Sequence, residues 1–177
     1  MEVLVVVVII VSVTAFAVPA YKKTQEKAKF NNALGVLIQI GTGVQALRAD
    51  MRMEGLSYSF PVTNAPVQVT GAWNGGDTVS RNSTYRTVQA AGNLEELGNE
   101  NNTKLGYALV AREYMAELPY DGKEYYNGYQ FYVCPDGVAS SSKCCINDAS
   151  VVACMRGTGS YAKAVFYTDG TTENFSS

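Results

Sequence analysis

The chain has 177 residues, enough for one domain with an appendage, and its formal net charge is -2. It contains no histidine, which excludes His-ligated haem and the Ser-His-Asp and Cys-His catalytic arrangements, and we expect the protein not to be an enzyme. Residues 1–54 carry six basic and four acidic side chains, a net of +2, so the remainder carries -4 and gives no electrostatic support for nucleic acid as the main partner.

The chain begins with an apolar segment, residues 1–21, which reads MEVLVVVVIIVSVTAFAVPAY. Sixteen consecutive residues, 3–18, carry no charge, and they lie between Glu2 and Pro19. The hydrocarbon core of a bilayer needs about 20 residues to span it, and a cleaved signal peptide has positive charge rather than an acid in front of its apolar run. We therefore expect a retained segment that is buried in lipid or in other copies of the chain.

Helical periodicity continues beyond Pro19. An apolar stripe with spacings of 4, 3, 4, 3 and 4 is formed by Ala33, Leu37, Ile40, Val44, Leu47 and Met51. This pattern predicts one buried helix face, and the polar residues expected to lie off that face are Lys29, Asn32, Gln39, Gln45, Arg48 and Arg52. We predict one helix from residue 1 to residue 53, roughly 80 Å long at about 1.5 Å per residue, with a kink or break near Pro19.

Two other groups of residues characterise this helix. A cationic cluster that is offset only by Glu26 follows the apolar segment and consists of Lys22, Lys23, Lys27 and Lys29. Three glycines weaken the helix by up to about 1 kcal/mol each relative to alanine but allow close packing: Gly35, Gly41 and Gly43. We expect only the second half of the helix to pack on a globular domain, while the first half protrudes.

Strand and turn signals dominate the rest of the chain. In chain order we predict strands 67–70 and 85–89, a helix over 105–117, a turn at Asn127-Gly128, and strands 129–134 and 161–168. The expected fold is α+β, with a long protruding N-terminal helix packed against a small antiparallel sheet and a disulfide-braced loop near the C-terminus. Its expected parts are a membrane anchor or filament core (1–21), an amphipathic half-helix (22–54) and a globular head (55–177).

Four cysteines fall within twenty-one residues: Cys134, Cys144, Cys145 and Cys154. An even, clustered number beyond an apolar N-terminal segment indicates two disulfides in an oxidising compartment, each contributing a few kcal/mol. A bond between the adjacent Cys144 and Cys145 would be strained, so two pairings remain: 134–144 with 145–154, or 134–145 with 144–154. A zinc site is the alternative, but the spacings lack the C-x2-C knuckles of such sites. We expect no metal and no cofactor.

The N-terminal residues carry a family pattern. In that pattern a glutamate stands seventeen positions before the proline of a Pro-x-Tyr motif, and here Glu2 stands seventeen positions before Pro19-Ala20-Tyr21. Over residues 1–29 the chain resembles type IV pilins and the related pseudopilins, and beyond residue 54 the resemblance is one of layout. Two features depart from the family: Val11 replaces a glycine that often interrupts the apolar run, and the processed, methylated first residue would lie three positions before Met1. Either the chain continues before Met1 or normal processing does not apply.

The resemblance implies a bacterial structural subunit that polymerises into an extracellular helical filament of identical copies. It implies that Glu2 pairs with the N-terminal amine of a neighbouring subunit and sets the axial register, whereas the alternative is a solvated acid favoured by the helix dipole. It implies a bend and local melting at Pro19, whereas the alternative is a plain kink in a membrane helix. The implied partners are the inner membrane before assembly, the prepilin peptidase and the pilus assembly machinery.

Two other functions remain possible from the sequence. One is a pseudopilin of a type II secretion system, which forms a short periplasmic assembly rather than a long surface filament. The other is a membrane-anchored periplasmic binding module, which would remain monomeric in detergent. The sequence does not choose among adhesion, motility, DNA uptake and secretion as the role of a filament.

Overall fold

A computed structural model describes residues 2–53, 66–69, 109, 114–116, 126–157 and 163–175 of the chain. Its elements are one helix, α1 (Glu2–Met53), and the strands β1 (Val67–Gln68), β2 (Gln130–Val133), β3 (Val151–Arg156), β4 (Lys163–Tyr167) and β5 (Thr172–Phe175). The five strands form one antiparallel sheet in the order β1-β2-β3-β4-β5. The molecule is therefore an α+β protein with a long N-terminal helix and a small antiparallel sheet.

The predicted long helix is confirmed, and it runs through Pro19 without the predicted break. Five residues of the predicted stripe are fully buried: Ala33, Leu37, Ile40, Val44 and Leu47. The first buried residue along the helix is Phe30, so the packed part begins there. The side chain of Met51 lies outside the described residues.

One polar residue contradicts the predicted helix face. Arg48 was expected to lie off the buried stripe, but its side chain is only 6% exposed. It follows Val44 by four residues and therefore shares its side of the helix. The prediction is wrong because the sheet side supplies acceptors for the guanidinium, as described below.

Period-two alternation gives the sheet two apolar faces. The face toward α1 carries Phe131, Val133, Ala153, Met155, Ala164 and Phe166. The opposite face carries Tyr132, Cys154 and Val165, and it is covered by Cys134, Cys144 and Cys145. The sheet therefore lies between the helix and the segment that bears the disulfides, which explains why most of β2, β3 and β4 is buried.

Three of the predicted strands are found in the structure, and two strands of the structure were not predicted. The predictions at 67–70, 129–134 and 161–168 are confirmed in shorter form as β1, β2 and β4, while β3 and β5 were not predicted. The cysteine-bearing region is therefore not one long loop, because Cys154 lies within β3. The predicted strand 85–89 lies outside the described residues. Of the predicted helix over 105–117, Leu109 is helical but residues 114–116 are not.

The predicted turn before β2 is confirmed. Asn127 and Gly128 have φ angles of 52° and 84°, the left-handed pair that a tight two-residue hairpin turn requires. Tyr126 and Tyr129 exchange backbone hydrogen bonds of 3.0 and 2.9 Å across it. The ring of Tyr129 packs edge-on against Phe30, with 6.0 Å between ring centroids. The turn thus places the start of β2 beside Phe30, where the packed part of the helix begins.

Candidate functional site

The N-terminal part of α1 presents an unpartnered apolar surface. Every large apolar side chain from Val6 to Val18 is between 50% and 81% exposed, and Phe16 is the most exposed of them. Among the described residues, one helical stretch, Val6–Asp50, is long and apolar enough to cross a membrane by length and composition, and none of its apolar window is buried inside the molecule. Within the described part of the chain, no residue covers this surface, so its burial calls for a lipid or protein partner.

The two polar residues of this surface are internally satisfied. Ser12 donates its hydroxyl to the carbonyl of Ile9 at 2.8 Å, and the Thr14 hydroxyl lies 2.9 Å from the carbonyl of Ile10 and 3.0 Å from that of Val11. A hydroxyl bonded to its own helix backbone can enter an apolar environment without an unmade hydrogen bond. The segment therefore behaves as uniformly apolar despite these two residues.

Glu2 and Pro19 bracket the apolar surface on one continuous helix. Seventeen helical steps correspond to about 25 Å along the axis. The side chain of Glu2 lies outside the described residues, so its contacts stay a prediction. Pro19 has no backbone N–H and cannot donate to the carbonyl of Ala15 four residues earlier, so this turn lacks one backbone hydrogen bond. The chain thus separates Glu2 from this turn by the length of the apolar surface.

Arg48, near the C-terminal end of α1, contacts residues just after β2. One guanidinium nitrogen donates to the carbonyl of Cys134 at 2.7 Å, and the other lies 3.5 Å from a carboxylate oxygen of Asp136. Burial lowers the pKa of Arg48 to about 10 and the neighbouring Asp136 opposes that shift, so the side chain remains cationic at neutral pH. Because Cys134 is disulfide-bonded to Cys145, this contact links α1 to the disulfide-bonded region after β2.

Two further contacts lie near the same end of the helix. Gln45 donates its amide to the carbonyl of Thr168 at 2.8 Å, and the hydroxyl of Tyr114 donates to Asp50 at 2.6 Å. Sequence periodicity did not identify Gln45 or Arg48 as contacts, although both follow buried stripe residues within one turn. The packed part of the helix is therefore held by apolar burial along its length and by polar contacts toward its C-terminal end.

Two glycines allow the helix and its neighbours to approach closely. A Cβ atom added at Gly41 would overlap the ring of Phe166, and one added at Gly43 would lie 3.0 Å from the backbone oxygen of Tyr114. A Cβ atom added at Gly35 would have no neighbouring atom within 4 Å, so the expectation of close packing is met at Gly41 and Gly43 only.

The two disulfides attach Cys144 and Cys145 to the end of β2 and to β3, because Cys134 directly follows β2 and Cys154 lies within β3. Cys134 is bonded to Cys145 and Cys144 to Cys154, with Cα separations of 5.9 and 5.7 Å. This is one of the two pairings that the sequence left open. The sulfur atoms of Cys134, Cys145 and Cys154 lie within 4.8 Å of one another, a spacing that could also suit a metal ion. Since all four sulfurs are used in covalent bonds, no thiolate is left as a ligand.

Comparisons with family models, curated proteins and solved structures find no match to this chain. The candidate site is therefore described from the residues of this chain alone. It is an exposed apolar half-helix with an acid at its start, carried by a head that is braced against the second half of the same helix.

Proposed function

We propose that the protein is a type IV pilin, a structural subunit that polymerises through its apolar half-helix into an extracellular filament. The observation that carries the proposal is the exposed apolar surface from Val6 to Val18, continuous with a helix half that is buried against the head. The seventeen-position separation of Glu2 and Pro19 supports it. In this proposal the subunit is bacterial and is held in the inner membrane before assembly.

The physics of the apolar segment explains why an acid is needed. Moving this surface from lipid into a bundle of identical helices exchanges one apolar environment for another, so hydrophobicity alone does not favour the bundle. A carboxylate at the edge of the same segment is costly in lipid unless it is neutralised. If Glu2 meets the N-terminal amine of a neighbouring copy, assembly removes that cost, and a misaligned copy restores it. The apolar residues therefore allow the helices to pack together, and Glu2 favours assembly in the aligned axial register.

Replacing Glu2 tests this role. We expect Glu2→Ala to abolish or strongly slow filament formation, as seen by negative-stain microscopy of material sheared from cells. The matched control is Glu26→Gln, which removes an acid from the same helix outside the apolar segment and should leave filaments intact. Normal filaments from Glu2→Ala would contradict the register role.

The wild-type chain separates the proposed function from its alternatives. Long surface filaments are expected of a pilin, whereas a secretion pseudopilin would give short periplasmic assemblies. A membrane-anchored binding module would give detergent-soluble monomers and no filament. Intact-mass measurement of the isolated subunit would also establish its mature N-terminus and methylation.

A further inference from the structure

The basic residues of the described chain are concentrated where the helix leaves the head. Four lysines occupy the helix between the apolar segment and the first buried residue, Phe30, and all four are exposed: Lys22, Lys23, Lys27 and Lys29. Arg156 and Lys163 lie directly opposite each other at the same end of the sheet. Arg156 also pairs with Gln130, which follows Tyr129, the residue that contacts Phe30. The side chains of Arg156 and Lys163 lie on the sheet face away from α1, the face that carries Tyr132 and Val165. The six basic residues thus share one end of the molecule rather than one continuous face, and we call this end the basal surface.

The lysines point to the side of the helix that carries the head. Lys22 and Lys29 continue the spacing of the buried residues Ala33 and Leu37, while Lys23 and Lys27 continue that of Phe30. Residues on these spacings share a helix face. The remaining side of the same turns is uncharged and carries Thr24, Ala28 and Asn31. The positive charge therefore occupies about half of the helix circumference rather than surrounding the helix.

The basal surface retains its positive charge. Among the described residues, ion pairs involve Arg48 and Arg52 with Asp136, and none of the six basal residues takes part in one. Arg156 donates to the neutral side chain of Gln130 and lies over the ring of Tyr132, and Lys163 lies 5.6 Å from the ring centre of Phe175. Glu26 is the one acid among the described residues of this region, so those described residues carry a net charge of +5 from six bases and one acid.

The position of this charge matches the surface of a bilayer. At about 1.5 Å per residue, Lys22 lies about 6 Å beyond Val18 and Lys29 about 17 Å beyond it. The headgroup region outside the hydrocarbon core is about 5–8 Å thick, and charges interact across roughly 8 Å of physiological salt. An apolar segment seated in lipid would therefore place the first lysines among the headgroups and the others just above them.

We propose that the basal surface binds the anionic headgroups of a phospholipid bilayer while the subunit is anchored there, and so holds the head upright over the membrane before assembly. The inference rests on the membrane-anchored stage of the proposed function. A lipid surface suits the arrangement because the apolar segment carries the four lysines to or just above one interface, which a soluble acidic partner would not require. Withdrawal of a subunit into a filament then has to break these headgroup contacts.

The test measures whether the full-length protein prefers an anionic lipid to a zwitterionic one. The protein is reconstituted in phosphatidylcholine bilayers with spin-labelled phosphatidylglycerol or phosphatidylcholine, and paramagnetic resonance gives the fraction of each lipid that is motionally restricted at the protein. We expect the wild type to prefer phosphatidylglycerol, and the preference to fall as salt is added. A basic residue near an anionic surface contributes up to about a fivefold preference for an anionic lipid. The measured preference is an average over all lipids that contact the protein.

Charge-neutral variants locate the effect. The quadruple variant Lys22→Gln, Lys23→Gln, Lys27→Gln and Lys29→Gln should lose most of the preference, and glutamine keeps the helix intact because its propensity is close to that of lysine. The double variant Arg156→Gln and Lys163→Gln should lose less, because these residues lie farther from the headgroups. The single variants Lys27→Gln and Arg52→Gln are matched: the first should lower the preference, and the second, at the far end of the helix, should not.

Several results would overturn the inference. Equal restriction of both lipids by the wild type, an unchanged preference in the quadruple variant, or an equal loss in Arg52→Gln would each do so. A quadruple variant that keeps its lipid preference but fails to form filaments would assign the basal surface to contacts between copies instead. Filament formation is scored separately on the same variants. A wild type that prefers phosphatidylglycerol but forms no filament would therefore contradict the proposed function and leave the lipid inference standing.

Discussion

At the scale of single residues, Arg48 shows how a charged side chain enters the packed face of a helix. Its guanidinium is buried, yet it reaches the carbonyl of Cys134 and the carboxylate of Asp136. Arg52, one turn later, contacts the same carboxylate at 3.2 Å but its side chain is 72% exposed. Two arginines thus share one acid in different solvent environments, and this provides a matched comparison.

Removal of the buried arginine should destabilise the head. Arg48→Leu leaves the buried carbonyl of Cys134 without its donor and the partly buried carboxylate of Asp136 with only the exposed Arg52, and we expect a loss of about 3 kcal/mol in the free energy of unfolding. Arg52→Leu should cost less than about 1 kcal/mol, as is usual for exposed ion pairs. Guanidinium titration of both variants in detergent, followed by circular dichroism, checks this. Equal losses would mean that the charge of Asp136, rather than burial at Arg48, decides the effect.

Tyr167 should give the head a pH dependence in the alkaline range. Its hydroxyl donates to Glu173 at 2.6 Å, and mainly this hydrogen bond raises the pKa of Tyr167 to about 12. The pKa of an unfolded tyrosine is about 10. The contribution of this group to stability is therefore complete below pH of about 10 and is lost as the pH rises toward the folded pKa.

The variant Tyr167→Phe isolates this contribution. We expect the wild type to be the more stable protein at neutral pH, and the difference between the two proteins to shrink as the pH rises from 10 toward the folded pKa of about 12. Thermal unfolding measured across this range provides the comparison. A constant difference between wild type and variant would show that the hydrogen bond to Glu173 contributes nothing that depends on ionisation.

The role of Arg48 could not be predicted from the sequence. The spacing of apolar residues identified the buried face, but a charged residue one turn from Val44 is normally solvated. Its acceptors lie 86 and 88 positions later in the chain, at Cys134 and Asp136. Local periodicity contains no information about such distant partners. Likewise, cysteine spacing limited the disulfides to two pairings, and the choice between them depends on the three-dimensional positions of the cysteines, which place Cys134 with Cys145 and Cys144 with Cys154.

At the scale of elements, the contact between α1 and the sheet depends on a position that has no side chain. Gly41→Ala would force the ring of Phe166 to move, and overpacking of this kind costs about 1–3 kcal/mol. The gain in helix propensity of up to about 1 kcal/mol offsets part of this. We therefore expect net destabilisation in thermal unfolding.

Gly35→Ala is the control for that substitution. It lies on the same helix, and a Cβ atom added there would meet nothing within 4 Å. Only the propensity term remains, so the variant should be more stable than the wild type by up to about 1 kcal/mol. If both alanine variants were stabilised, the close approach of the helix to Phe166 would be wrong.

Elements with a strong local period were predictable, and those defined by their neighbours were not. The helix, β2 and β4 follow from apolar spacing and from β-branched and aromatic runs. In contrast, five consecutive residues of β3, from Val151 to Met155 and including Cys154, are buried, and the cysteine favoured an interpretation as part of a loop. The edge strand β5 has no buried residue and is mostly polar, so its strand conformation depends on pairing with β4 rather than on an apolar pattern.

At the scale of the whole molecule, the proposed filament should respond differently to salt and to detergent. Helices packed through apolar side chains are not weakened by screening, and excluded salts such as sulfate strengthen apolar burial. We expect sheared filaments to sediment unchanged in high salt and to dissociate in detergent. The measurement is the fraction of subunit in the pellet after ultracentrifugation. Dissolution by salt alone would indicate that charged contacts between heads hold the polymer.

The unbroken helix also couples the rotation of the head to that of the apolar half. Each residue of an α-helix turns the chain by about 100° while advancing it by only about 1.5 Å. One residue inserted between Pro19 and Phe30 would barely lengthen the subunit, yet it would turn the head to a different side of the rod. Seven inserted residues would nearly restore the original azimuth while raising the head by about 10 Å. For this stretch of the chain, angular phase rather than length decides whether an insertion is compatible with a regular assembly.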